Sequence, residues 1–146
     1  MNTQYAYSIK TSRVQEEDFP YNGQAINNST DAIAFARALQ DADIEKMITL
    51  YLDGQNKVIC IQATSGTVNQ AYAYPREIIR HALLTGATAI VLIHNHPSGN
   101  IKPSQGDLTV TKQIQEVAKF LDIPIHDHII VGENGQAFSF NEHNMM

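Results

Sequence analysis

Two histidines one residue apart, followed at short range by a serine and an aspartate, are the residues of this 146-residue chain that point most directly to chemistry. They sit in His94-Asn95-His96-Pro97-Ser98-Gly99-Asn100-Ile101-Lys102-Pro103-Ser104-Gln105-Gly106-Asp107, directly after the apolar run Ala89 to Ile93. A strand sends alternate side chains to one face, so the imidazoles of His94 and His96 can aim at a common point. Neutral imidazole and carboxylate suit zinc, and a catalytic zinc ordinarily takes three protein ligands and leaves its fourth position to water. Asp107 is the candidate third ligand. It precedes a helical pattern from Leu108 to Leu121, with apolar residues at Leu108, Val110, Ile114, Val117, Ala118 and Leu121. The loop from Pro97 to Pro103 can fold the first turn of that helix back over the histidines.

A purely structural reading competes with this one. Ser104 and Asp107 have the spacing of a capping box, and an acidic residue in a first helical turn is favoured by the helix dipole without any metal. Two histidines around an asparagine can be solvated loop residues. The metal reading rests on their joint occurrence: ligand types, alternation, a strand end and a following carboxylate. Two look-alikes fall away. The HNH nucleases take their letters from residues spread over a longer ββα unit, and the zinc deaminases need a Cys-x-x-Cys pair where this chain has one cysteine.

The elements that must position these residues can be read in order. Tyr5 to Val14 is expected as a strand and Gln15 to Ser29 as a long polar loop, one able to cover the site. Ser29 or Thr30 then caps a helix with its apolar face on Ile33, Ala34, Ala36 and Leu39. Met47 to Leu52 and Lys57 to Ala63 read as a hairpin around Asp53-Gly54-Gln55-Asn56. Pro75 opens a helix to Thr85 that Gly86 ends. Ala87 to Ile93 is the strand that delivers the histidines, a helix follows Ser104 to about Leu121, and Ile125 to Val131 and Gln136 to Phe140 close the sheet. The tail 141–146 is expected to fray.

Composition bounds the class. The chain fits one domain with an ordinary core, and 43% hydrophobic against 17% charged residues excludes a disordered polymer. A net charge of -5 without a basic cluster weighs against sequence-independent DNA binding. Cys60, inside Val58-Ile59-Cys60-Ile61, reads as a small buried hydrophobe. With no signal-like apolar start and no run long enough to span a bilayer, a cytoplasmic protein without membrane contact is expected.

The pattern His94-x-His96, seven residues, Ser104-x-x-Asp107 resembles the JAMM (MPN-plus) metalloprotease motif. The wider set is similar to the RadC-like JAB domain proteins: Leu52-Asp53 with Asn56-Lys57, Gly66-Thr67, Pro75-Arg76-Glu77-Ile78, His94 to Gly99, and Asp127-His128-Ile129-Ile130-Val131-Gly132. The resemblance covers roughly Glu45 to Ser139. It implies an α/β fold, a three-layer sandwich with a mixed sheet of the cytidine-deaminase-like (JAB/MPN) kind. It divides the chain into residues 1–44 leading in, a metal-binding domain over 45–140 and the tail. It also implies Zn2+ held by His94, His96 and Asp107, with Ser104 at the oxyanion and Glu45 as the catalytic carboxylate. The activity implied is hydrolysis of a peptide or isopeptide bond in a protein substrate. Longer members place a helix-hairpin-helix region ahead of this domain, a pattern the residues before Glu45 do not show, so direct DNA engagement is the weaker expectation. The alternatives are a non-catalytic DNA-repair or anti-restriction accessory factor, and a metal-dependent nuclease. Of the remaining polar groups, His128 is expected to have a structural role or to orient a ligand through its ring nitrogen, and Arg76 to bind a carboxylate, either near Glu77 or on a substrate.

Overall fold

Strands with apolar side chains on both faces need cover on both sides, and the computed structural model shows how that is achieved for the residues it describes: 3–12, 14–15, 19, 21–36, 39, 42–65 and 74–146. Among them, five strands form one mixed sheet: β1 (Lys46–Leu52), β2 (Val58–Ser65), β3 (Ala89–Asn95), β4 (Ile125–Val131) and β5 (Ala137–Ser139), in the order β2-β1-β3-β4-β5. β1 runs antiparallel to β2 and β3, β3 is parallel to β4, and β5 returns antiparallel. Helix α1 (Ser29–Phe35) covers one face, while α2 (Tyr74–Thr85) and α3 (Gln105–Phe120) cover the other. This is the α/β three-layer arrangement expected.

Alternation assigns the side chains. Ile48, Leu50, Leu52, Ala89, Val91 and Ile93 enter the core under α1, whereas Met47, Tyr51, Ile90 and Leu92 meet Ile78, Ala82, Val110 and Ile114 of α2 and α3. Position 94 therefore faces α3 and position 95 faces the α1 side. The hairpin between β1 and β2 is held by Asp53, whose Oδ1 accepts from the amides of Gln55 (2.8 Å) and Lys57 (2.9 Å). Asn56 takes the left-handed conformation (φ 59°) that the tight turn requires.

Several expectations are corrected. The described residues of Tyr5–Val14 form no strand, and Tyr5, Tyr7 and Ile9 are 76%, 97% and 87% exposed. An alternating pattern specifies a face, and without a ladder partner that face stays in solvent. The cap of α1 is Asn28, whose side chain accepts from the Asp31 amide, and Ala34 is exposed while Ala32, Ala36 and Leu39 are buried. β3 runs two residues further than expected, through His94 and Asn95.

The described residues between Phe19 and Asn28 do not cover the histidines. Phe19 and Tyr21 pack on Phe35, and Ile26 bonds to Asn56 O at the hairpin end of the sheet. Residues 141–146 form turns in which Met145 N bonds to Phe140 O and the His143 ring stacks on Phe138. Gly66-Thr67 lies outside the described residues. Among those described, no helix is long and apolar enough to cross a membrane.

Candidate metal centre

β3 and α3 bring the motif together because the loop between them reverses the chain. His94 is the penultimate residue of β3 and is fully buried on the α3 side; His96 follows the strand, its side chain 15% exposed. Ser104 caps α3 and Asp107 is its third residue, so the capping box and the metal reading describe the same atoms. Asp107 N donates to Ser104 Oγ (3.1 Å) and Ser104 N donates to Asp107 Oδ2 (2.7 Å), which fixes the carboxylate against the histidines. His94 Nε2 lies 3.1 Å from Asp107 Oδ1, His96 Nε2 lies 3.1 Å from Oδ2, and the two Nε2 atoms are 3.0 Å apart. With Glu45 the ligand atoms of all four residues fall within 4.8 Å of one another.

The hydrogen-bond network dictates which ring nitrogens carry protons. Thr111 donates its hydroxyl hydrogen to Asp107 O (2.6 Å), so Thr111 Oγ1 must accept from His128 Nδ1 (2.6 Å). Burial holds the His128 pKa well below the usual histidine value, with His94 beside it adding to the effect, so the ring is neutral and its Nε2 carries a lone pair. That lone pair accepts from His94 Nδ1 (2.8 Å), which leaves the lone pair of neutral His94 on Nε2. His96 Nδ1 faces the carbonyl of Asn100 (2.6 Å), an acceptor only, so the lone pair of neutral His96 is also on Nε2. Two imidazole lone pairs and a carboxylate then point at one another.

Such a set fits a cation. Tetrahedral zinc with bonds of 2.0–2.1 Å separates its ligands by about 3.3 Å, a few tenths more than the spacings here. Asp107 Oδ1 is buried with no hydrogen-bond partner, an omission that costs about 1–3 kcal/mol for a buried acceptor. Burial alone would raise the Asp107 carboxyl, but the His94 and His96 rings, whenever they carry a proton toward it, and the Ser104 amide hold it well below the usual carboxylate range. Asp107 in turn raises the His96 pKa against the effect of burial. A proton on His96 is therefore the competitor of a metal at this point.

Access is graded. His94 and Asp107 form the closed side of the cluster, whereas His96 and Glu45 are half-buried and Ser104 is exposed. The loop that carries Asn100 is seated on Gly132 at the end of β4: a Cβ there would stand 2.7 Å from Gly99 O and 2.6 Å from Ile101 Cγ2. Gly132 has an ordinary extended backbone, so its requirement is one of space.

Four of the five site residues read from the sequence, Glu45, His94, His96 and Asp107, thus meet at one point, and Ser104 caps the helical turn that carries Asp107. Of the neighbouring histidines, His128 joins them and His126 does not: it is exposed and bonds to Asn56 Oδ1. Asp127 accepts from Ser139 Oγ and Asn141 N on the other face. Arg76 is exposed at the start of α2, and Cys60 is half-buried. Thr111 and Asn100 were not anticipated. Thr111 had a legible signal, lying four residues after Asp107 on the same helical face, whereas a backbone carbonyl such as that of Asn100 leaves none.

A family profile described as "RadC-like JAB domain" matches residues 26–145. Among curated proteins, a UPF0758 protein of Lactococcus lactis is 40% identical over 131 residues, 89% of this chain and 58% of its own length. A UPF0758 protein of Stenotrophomonas maltophilia is 37% identical, covering 86% and 54%, and one of Finegoldia magna is 40% identical, covering 73% and 49%. The chain spans about half the length of these relatives.

Three outcomes test this geometry. Thr111→Val removes the acceptor for His128 at nearly constant shape and should weaken zinc binding about 10- to 100-fold in chelator competition. Gly132→Ala should shift the loop and weaken zinc by about tenfold or more while the fold persists by circular dichroism; unchanged affinity would contradict the seating described. Zinc affinity should also fall as pH drops through the range just above the ordinary histidine value of 6.5, because the raised His96 pKa makes the proton compete there.

Proposed function

This chain belongs to the RadC-like JAB domain family, and we propose that it is a zinc-dependent hydrolase of peptide or isopeptide bonds, with a protein or peptide as substrate. The observation that carries the reading is the convergence of Glu45, His94, His96 and Asp107, with two imidazole Nε2 atoms and a buried carboxylate oxygen facing one another. His94, His96 and Asp107 would hold the metal. Bound there, zinc lowers the pKa of a coordinated water to about 7 and polarises a carbonyl.

The chain's own residues supply the rest. Amide hydrolysis needs a base for the attacking water, a donor for the developing oxyanion and a proton for the leaving amine. Glu45, half-buried beside the three ligand atoms, takes the water proton and returns it to the leaving nitrogen. Ser104 Oγ already accepts from Asp107 N, so its hydroxyl hydrogen would be the donor to the oxyanion. The exposure of Ser104 and part exposure of His96 leave that side open to a polypeptide. Phosphodiester chemistry with paired hard cations would ask for several ligating carboxylates, and with Glu45 kept as the base the three ligands are two imidazoles and one carboxylate.

Glu45→Gln should keep zinc and lower turnover of a peptide or isopeptide substrate by about 10²–10⁴-fold, whereas Asp107→Ala should lose metal and turnover together. Full activity in Glu45→Gln would remove the base assignment. Salt-dependent DNA binding without a metal requirement, and no hydrolysis, would favour the accessory-factor reading instead.

A further inference from the structure

We propose that Asn95, the residue between the two histidines, is the positioning residue of Glu45. The inference rests on the reading of Glu45 as the base and deepens it. Alternation sends the Asn95 side chain away from the metal cluster, to the opposite face of β3, where it is 1% exposed. There its amide makes three hydrogen bonds to the segment that carries Glu45. Oδ1 accepts from Lys46 N (2.7 Å), and Nδ2 donates to Ile44 O (3.1 Å) and Ala42 O (3.3 Å). Both donors and one of the two oxygen lone pairs are thereby used, which fixes the orientation of the amide.

The placement answers a structural need. The ladder between β1 and β3 ends with Met47 opposite His94, and Glu45 lies two residues beyond it. Residues 42–45 belong to no helix or strand, and Ile44 is 53% exposed, so its side chain does not bury this segment in the core. Where the backbone ladder stops, the Asn95 side chain continues it, bonding to the residues on both sides of Glu45. One strand end thus serves two tasks: the odd position fixes the base and the even positions fix the ligands. Aspartate at 95 would keep the acceptor and lose both donors; alanine would lose all three bonds.

The test uses the full chain loaded with zinc alone, then with cobalt(II). In Asn95→Ala, amide exchange at Lys46 should speed up at least tenfold while β3 and α3 amides and zinc affinity stay within about threefold of wild type. The visible spectrum of the cobalt protein should move in the same direction in Asn95→Ala as in Glu45→Gln, and the double variant should move no further than either. Unchanged Lys46 exchange, general loosening of β3 and α3, or an additive double variant overturns the proposal. If Glu45→Gln leaves the cobalt spectrum at wild type while Lys46 exchange still rises in Asn95→Ala, the role given to Glu45 has failed rather than the clamp, and the functional part of the proposal falls with it. Should Asn95→Ala not fold, Asn95→Asp carries the test: a spectrum shifted toward Glu45→Gln supports it and a wild-type spectrum overturns it.

Discussion

With both rings neutral, two imidazole nitrogens and a carboxylate are three electron-pair donors held against one another on the partly closed side of the cluster, and the rest of the molecule is arranged around that contact. A buried carboxylate oxygen without a hydrogen bond and two imidazole nitrogens 3.0 Å apart would separate if their supports were loose. They do not separate because each is fixed from behind. Thr111 and His128 hold His94, the Asn100 carbonyl holds His96, and the first turn of α3 holds Asp107. Strain of this kind is tolerated where a ligand relieves it, and a divalent cation is the ligand that matches the donors.

The supports come from ordinary elements of the fold. The parallel register of β3 and β4 places His128 opposite Leu92, on the same sheet face as His94, and within reach of the first turns of α3. The end of β4 at Gly132 provides the floor for the loop after His96. On the opposite face the apolar core under α1 continues to the level of Ile93, where Asn95 replaces packing with hydrogen bonds. The apolar core at Ile93, the His94–His128 contact and the Asn95 bonds to the Glu45 segment are therefore consecutive levels of one strand, and a change in its pairing would disturb all of them.

Much of this was legible in the sequence because period-two alternation and helix capping are local rules. His94, His96, Ser104 and Asp107 could be placed by them, as could β1, β2, β4, α2 and α3. Glu45 could be placed only by resemblance, since a glutamate before a strand has no local signature. Contacts between distant segments were not legible: Asn95 with residues 42–46, Gly132 with Gly99, and the Asn100 carbonyl with His96. The strand expected at Tyr5–Val14 is not formed by the described residues of that segment, for the complementary reason. Its alternation is real, but pairing depends on a partner that no local rule supplies.

The measurement that bears most directly on the central claim is zinc K-edge X-ray absorption on protein loaded to one equivalent, compared with Asp107→Ala. Two imidazole nitrogens and at least one further oxygen are expected at about 2.0–2.1 Å, with that shell lost or rebuilt in the variant. A six-oxygen shell without imidazole scattering, or the same shell in Asp107→Ala, would contradict it.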